Sequence, residues 1–268
     1  MSATAARAAP KAGRLDLGDQ QLDYHWYEPS RPGRPSLVFL HEGLGCVGLW
    51  QDFPALLAQR TGCGALVYSR AGYGNSSQIA LPRPLRYMHD EGQDVLPRVL
   101  EQLHLEQFFL IGHSDGASIS LIFAGTPPTP PGLKGVVCLA PHVFNEESCV
   151  VGIEQTKARF LEGPLRTKLQ KWHGDNVDCA FWGWNGAWLD PGFWYWNIEE
   201  FLPNILTPML VIQGQEDEYG TARQWQAIRD QSGGPVELLI LESCGHTPQR
   251  QQQQATAQAI VDFVEANI

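Results

Sequence analysis

At 268 residues the chain is long enough for one large domain, or for a domain carrying an insertion, and its 43% hydrophobic and 18% charged residues are those of an ordinary globular protein. A formal net charge of -10 argues against nucleic acid and anionic membranes as partners, because their phosphates would repel it. No apolar run nears the roughly 20 residues that cross a bilayer.

In chain order, residues 1–13 (MSATAARAAPKAG) are small and polar and lack the apolar stretch of a secretory signal, which predicts a flexible tail and a cytoplasmic protein. Two short stretches between Arg14 and Tyr27 flank Gly18-Asp19 and predict a hairpin. Nearly continuous apolar runs follow at Ser36–Leu40, Ala65–Tyr68, Phe108–Ile111, Val136–Leu139, Met209–Ile212 and Val236–Leu241. Strands apolar on both faces belong in a parallel sheet covered by helices. Helical spacing lies between the runs: Trp50, Phe53, Leu56 and Leu57; then Val95, Val99, Leu100 and Leu103; then Ala117 to Phe123; and finally Ala257 to Val264, with Gln251–Gln254 as a polar face of that last helix. Alternation of this kind predicts an α/β fold, a mostly parallel sheet flanked by helices.

One interval breaks the rhythm. After Leu139 about 65 residues pass before the next sheet strand, far beyond an ordinary connection. Residues 142–205 read as a cap insertion, helical near Ile153–Gln170, set between the core segments 14–141 and 206–268. Six of the nine tryptophans, Trp172, Trp182, Trp184, Trp188, Trp194 and Trp196, fall within it. That much indole is expected to divide between packing onto the core and lining an apolar pocket, with Trp184, Trp188 and Trp196 as the substrate-binding candidates. The six cysteines, Cys46, Cys63, Cys138, Cys149, Cys179 and Cys244, show no C-x-x-C spacing and read as free, buried thiols.

The chemistry is written in three short motifs. Gly112-His113-Ser114-Asp115-Gly116 puts G-x-S-x-G between an apolar strand and a helix, where a sharp turn exposes a serine hydroxyl at a helix N-terminus. Gly214-Gln215-Glu216-Asp217 follows the fifth apolar run, and Gly245-His246 follows the sixth. With these residues the chain resembles the α/β-hydrolase superfamily over about residues 14–268, in its cap-bearing branch of esterases, lactonases and C–C bond hydrolases. The resemblance implies a triad in the order serine, acid, histidine: Ser114 as nucleophile, Asp217 as the acid, with Glu216 and Glu218 as alternatives, and His246 as base. Serine needs an imidazole to take its proton, and the imidazole needs a carboxylate to fix its tautomer.

The resemblance also implies an oxyanion hole from the backbone N–H groups of Asp115 and Gly43, with Leu44 as an alternative to Gly43. Glu42 departs from the family's pattern, in which glycine is usual, and is expected to make a structural hydrogen bond or ion pair. Ser69–Ser77 resembles a supporting loop of the family. Arg70, His89, His142 and His173 are further polar candidates for contact with substrate, and Arg159 and Arg166 for a carboxylate clamp in the cap. The expected activity is hydrolysis of a small carboxylic ester or thioester through an acyl-enzyme. The alternatives are a C–C hydrolase or lactonase with the same triad, and a non-catalytic small-ligand receptor. Ser114 stands where epoxide hydrolases and dehalogenases carry aspartate. Gly43, Gly45 and Gly48 match a dinucleotide fingerprint only nominally. No cofactor and no metal are expected; the partner is a small-molecule substrate, and self-association into a homo-oligomer is left open.

Overall fold

The computed structural model describes residues 9–268. An eight-stranded sheet runs in the order β1-β2-β4-β3-β5-β6-β7-β8. The strands are β1 (Lys11–Asp16), β2 (Gln21–Tyr27), β3 (Ser36–Leu40), β4 (Gly64–Tyr68), β5 (Phe108–His113), β6 (Leu133–Leu139), β7 (Met209–Gly214) and β8 (Val236–Leu241). β1 and β2 form the expected hairpin and join β4 antiparallel; every pairing from β4 to β8 is parallel. β4, β5 and β7 are buried along their whole length, as their two-sided apolar sequences require, while β8 lies at the edge and is only half covered.

The expected tail is shorter than residues 1–13. Lys11, Ala12 and Gly13 belong to β1 and pair with Trp26, His25 and Tyr24. Backbone pairing holds these residues in the sheet with no apolar side chain to announce it, and residues 1–8 of the expected tail lie outside the described residues.

Among the described residues ten α-helices surround the sheet: α1 (Phe53–Thr61), α2 (Tyr87–Asp90), α3 (Leu96–Gln102), α4 (Asp115–Gly125), α5 (Glu147–Leu161), α6 (Leu165–His173), α7 (Val177–Trp188), α8 (Ala222–Gln231), α9 (Pro248–Gln251) and α10 (Gln253–Ala266). One apolar cluster fills the side of the sheet that carries α3 and α4, and a second the side of α1 and α10. All eleven residues of α4 are buried, so the helix that begins beside Ser114 is the central one. The final helix is divided: Gln252, at φ -133 and ψ 54, separates α9 from α10.

Helices α5, α6 and α7 lie between β6 and β7, and Pro164 marks the break between the first two. Backbone hydrogen bonds from Asn145 to Trp196 (3.1 Å) and from Ile198 to Val143 (2.8 Å) join the two ends of this segment. The buried Glu146 carboxylate ties its base to the core, accepting from the Thr221 N–H and hydroxyl, each at 2.8 Å, and from Gln224 at 2.7 Å.

Candidate active site

Ser114 follows the last residue of β5 and precedes α4, with φ 53 and ψ -119. This backbone is strained for a residue with a side chain, and its surroundings enforce it. A Cβ on Gly112 would lie 2.3 Å from the Gly116 carbonyl oxygen, and one on Gly116 only 2.0 Å from that of Leu40. Glycine at both positions therefore lets the turn close and α4 approach β3. The result lifts the Ser114 hydroxyl out of the sheet at the N-terminus of α4, where N–H groups lack intrahelical acceptors.

The turns after β7 and β8 deliver its partners. Ser114 Oγ lies 2.9 Å from His246 Nε2, and His246 Nδ1 lies 2.9 Å from each carboxylate oxygen of Asp217. Asp217 also accepts from Gln213 Nε2 at 2.6 Å and from the Tyr219 N–H at 2.9 Å. Glu216 and Glu218 are exposed, and the carboxylate on the imidazole is that of Asp217. Burial disfavours both charges of the pair, yet each partner outweighs it. Beside His246, Asp217 is held down at about 2, and the Asp217 charge raises His246 above the ordinary imidazole value.

The backbone of His246 is held in its turn. His113 Nε2 lies 2.7 Å from the His246 carbonyl, which only accepts, so Nε2 carries a proton. Gln251 Oε1 accepts from the Gly245 N–H at 2.7 Å. Gln251 therefore belongs to the site's scaffold and lines its cavity, a role that reading it as part of a polar helix face misses.

A cavity of about 400 Å³ opens above Ser114, walled by Gly43, Asp115, His142, Trp184, Trp188 and His246 among others. Gly43 and Asp115 thus border the same space as the serine hydroxyl. Trp184 lies directly on Gly43: a Cβ there would meet the indole Nε1 at 2.1 Å. Trp196 is not part of the cavity; it is buried in a stack with Phe193, rings parallel within 10° and 5.2 Å apart. Trp172 and Trp194 are partly exposed, and Trp182 packs on Phe160 and Phe181. Trp196, expected as a pocket residue, instead stands on the packing side, because its ring meets Phe193 and Trp188 before it reaches the cavity.

Behind the cavity the loop that carries Gly43 and the start of α4 are tied together by Arg70, which is 1% exposed. Its Nη1 donates to the His41 carbonyl at 2.6 Å and its Nη2 to that of Glu42 at 3.2 Å, with Asp115 Oδ2 at 3.9 Å from Nη2. The Asp115 carboxylate also accepts from the Tyr87 hydroxyl at 2.5 Å and from the Trp188 indole at 3.2 Å. Burial raises the Asp115 carboxyl above its usual range, and Arg70, Tyr87 and Trp188 offset only part of this. One side chain thus joins the residue after Ser114 to α2, to α7 and to the loop that carries Gly43.

Glu42 finds its partner in His113, whose Nδ1 lies 3.4 Å from Glu42 Oε2. Burial would raise this carboxyl, but His113 outweighs it and holds Glu42 well below the carboxylate range. Of the other polar candidates, His173 bonds the Gly74 N–H and the Leu44 carbonyl, each at 3.0 Å, and His89 packs at a tilt against Phe201. Only His142 among those four residues lines the cavity. Arg159 reaches the cavity wall and hydrogen-bonds to Thr156, whereas Arg166 is spent on a surface pair with Asp178, so the two arginines form no clamp. The six cysteines are free, and all but Cys179 are buried.

A strand-turn-helix serine, an acid turn after β7 and a histidine turn after β8 on a mostly parallel sheet define the α/β-hydrolase class. The sequence model of the alpha/beta hydrolase family matches residues 37–259, and the chain belongs to that family. Among solved structures, proline iminopeptidase of Mycobacterium smegmatis superposes with a TM-score of 0.75 at 18% identity, over 96% of this chain and 98% of that one. The esterase EaEST of Exiguobacterium antarcticum gives 0.75 at 17% identity, over 95% and 100%. In sequence, 2-succinyl-6-hydroxy-2,4-cyclohexadiene-1-carboxylate synthase of Enterobacter sp. (strain 638) is 30% identical over 155 residues, 56% of each protein, so the match spans little more than half of that relative.

Proposed function

We propose that the chain is a serine hydrolase that cleaves a small carboxylic ester or thioester through an acyl-enzyme on Ser114. The observation that carries this reading is the unbroken hydrogen-bonded chain from Ser114 through His246 to Asp217, beside a cavity of about 400 Å³. Ser114 Oγ attacks the carbonyl carbon while its proton passes to His246 Nε2. The oxyanion is stabilised by the N–H groups of Asp115 and Gly43. Collapse breaks the acyl–oxygen or acyl–sulfur bond, and the leaving group takes the proton from His246. Water then adds to the acyl carbon, giving its proton to His246, and the acid departs as that proton returns to Ser114. Serine, histidine and water supply every electron pair and proton, so the sequence of steps needs no metal or cofactor.

In this reading residues 142–205 act as a cap, with Trp184 and Trp188 on the wall facing Ser114. The partner is a small molecule rather than nucleic acid or membrane. No helix among the described residues is long and apolar enough to cross a bilayer. The test is turnover of a panel of esters, thioesters and lactones by purified protein: esterolysis lost in Ser114→Ala is the expected result, and an inert panel would contradict it. A second reading, a lactonase or C–C hydrolase acting through the same triad, draws support from Arg159. Among the described residues this arginine at the cavity has no carboxylate partner, and the relative named above is named for a carboxylate. Product analysis separates the two.

A further inference from the structure

His142 is a titratable residue of the cavity that the proposed chemistry leaves without a task. It follows β6, is 3% exposed, and shares the cavity wall with Ser114 and His246. Its ring lies 5.6 Å from that of His246 and 5.4 Å from the indole of Trp188. It is not a second base for the triad, because the serine hydroxyl and the carboxylate of Asp217 are both bound to His246.

The hydrogen bonds around His142 decide which ring nitrogen carries its proton. Cys149 Sγ donates to the Tyr219 carbonyl at 2.8 Å, which uses the only thiol proton. The same sulfur lies 3.6 Å from His142 Nδ1, so in that contact the sulfur accepts and Nδ1 carries the hydrogen. Nε2 is then a bare lone pair, and among the described residues no protein group hydrogen-bonds to it. Burial, reinforced by the neighbouring His246, pushes the His142 imidazole down to about 3 and keeps the ring neutral in the working range. A neutral ring suits the place, since a second cation beside His246 would oppose the imidazolium that forms when Ser114 gives up its proton.

We propose that His142 is a specificity-determining residue whose Nε2 accepts a hydrogen bond from a hydroxyl group on the acyl part of the substrate. The inference rests on the ester-hydrolase reading and deepens it to hydroxylated acyl groups. An acceptor that bound substrate seals from water and leaves without a donor carries a penalty, so a site of this kind discriminates against analogues that lack the hydroxyl. His142 shares the cavity wall with the apolar side chains of Trp188 and Ile153.

The experiment compares kcat/KM for p-nitrophenyl butanoate with its 2- and 3-hydroxy and 3-methoxy derivatives, and for 3-phenylpropanoate with its 4-hydroxyphenyl and 4-methoxyphenyl counterparts. Wild type is expected to favour one hydroxylated ester over both its parent and its methoxy analogue by about ten- to a hundredfold, the range for leaving one neutral acceptor unsatisfied in the bound complex. His142→Phe is expected to bring that ratio close to one, and His142→Gln, whose amide oxygen accepts, to keep part of it. A ratio unchanged in His142→Phe overturns the proposal. So does a wild type that treats hydroxy, methoxy and parent esters alike, a result that needs no variant to fold. Turnover without discrimination overturns this inference alone, while an inert panel overturns the ester reading as well.

Discussion

The turns that follow β5, β7 and β8 and the segment between β6 and β7 meet at one cavity, but they are specified in different ways. Each of Ser114, Asp217 and His246 is set by its own few residues: an apolar strand, one or two glycines and a polar side chain. The tryptophans of the intervening segment have no such local instruction. Trp184 and Trp196 are both 7% exposed, yet one covers Gly43 at the cavity and the other stacks on Phe193 away from it. Burial alone does not separate a pocket wall from a packing core; the partner of each ring does.

The largest effect that sharpens this contrast is loss of the nucleophile. Ser114→Ala is expected to lower kcat by about ten-thousand-fold or more while the thermal midpoint stays within a few degrees of wild type. Residual activity above a few per cent, with contamination excluded, would place the chemistry elsewhere.

Asp217→Asn comes next, at about a thousand- to ten-thousand-fold in kcat, because the amide no longer holds His246 in the needed tautomer. The same variant gives a pH signature. His246 must be neutral to take the serine proton, so kcat/KM falls as pH drops through its pKa. Asp217 holds that pKa above the ordinary 6.5, which puts the acidic limb of wild type above 6.5. Removing the charge leaves burial as the main influence and moves the limb to lower pH. A limb that stays in place would mean that Asp217 does not set it.

What the sequence discloses follows the same division. G-x-S-x-G, G-x-x-D and G-H are readable because each turn is built from adjacent residues. Tyr87, Arg70 and Trp188 converge on Asp115 from 28, 45 and 73 positions away, and only the folded chain brings them there. Glu42 stands out in the sequence as an acid where glycine is usual, but its partner His113 emerges only from the approach of β3 and β5. Lys11–Gly13 escape notice because a strand held by backbone pairing at the sheet edge needs no apolar residues. Gln251 hides in a run of glutamines whose neighbours face elsewhere.

The buried link between the two regions gives a smaller effect. Arg70→Met leaves the Asp115 carboxylate buried without its cation and releases the carbonyls of His41 and Glu42. Stability in urea is expected to fall by about 3–5 kcal/mol, the cost of orphaning a buried charge, with kcat reduced at least several-fold in the protein that remains folded. Unchanged stability and rate would mean that Arg70 organises neither segment.

Smallest, and most specific to the comparison, is the effect of the tryptophans on acyl length. Wild type is expected to gain up to about fourfold in kcat/KM per methylene along a series of short p-nitrophenyl esters, the equivalent of roughly 0.8 kcal/mol for each buried group. Trp184→Ala should flatten that slope, and Trp196→Ala should lower stability and leave the slope intact. The reverse pattern would exchange the roles assigned to the two rings.

The account stands or falls on Ser114 as an activated nucleophile, and covalent labelling with a fluorophosphonate followed by peptide mass spectrometry reads this directly. One phosphonyl adduct on the peptide containing Ser114 is expected in wild type, with the adduct absent from Ser114→Ala and slowed by orders of magnitude in His246→Ala. A folded wild-type protein that stays unlabelled at Ser114, or is labelled there equally fast without His246, would contradict the account.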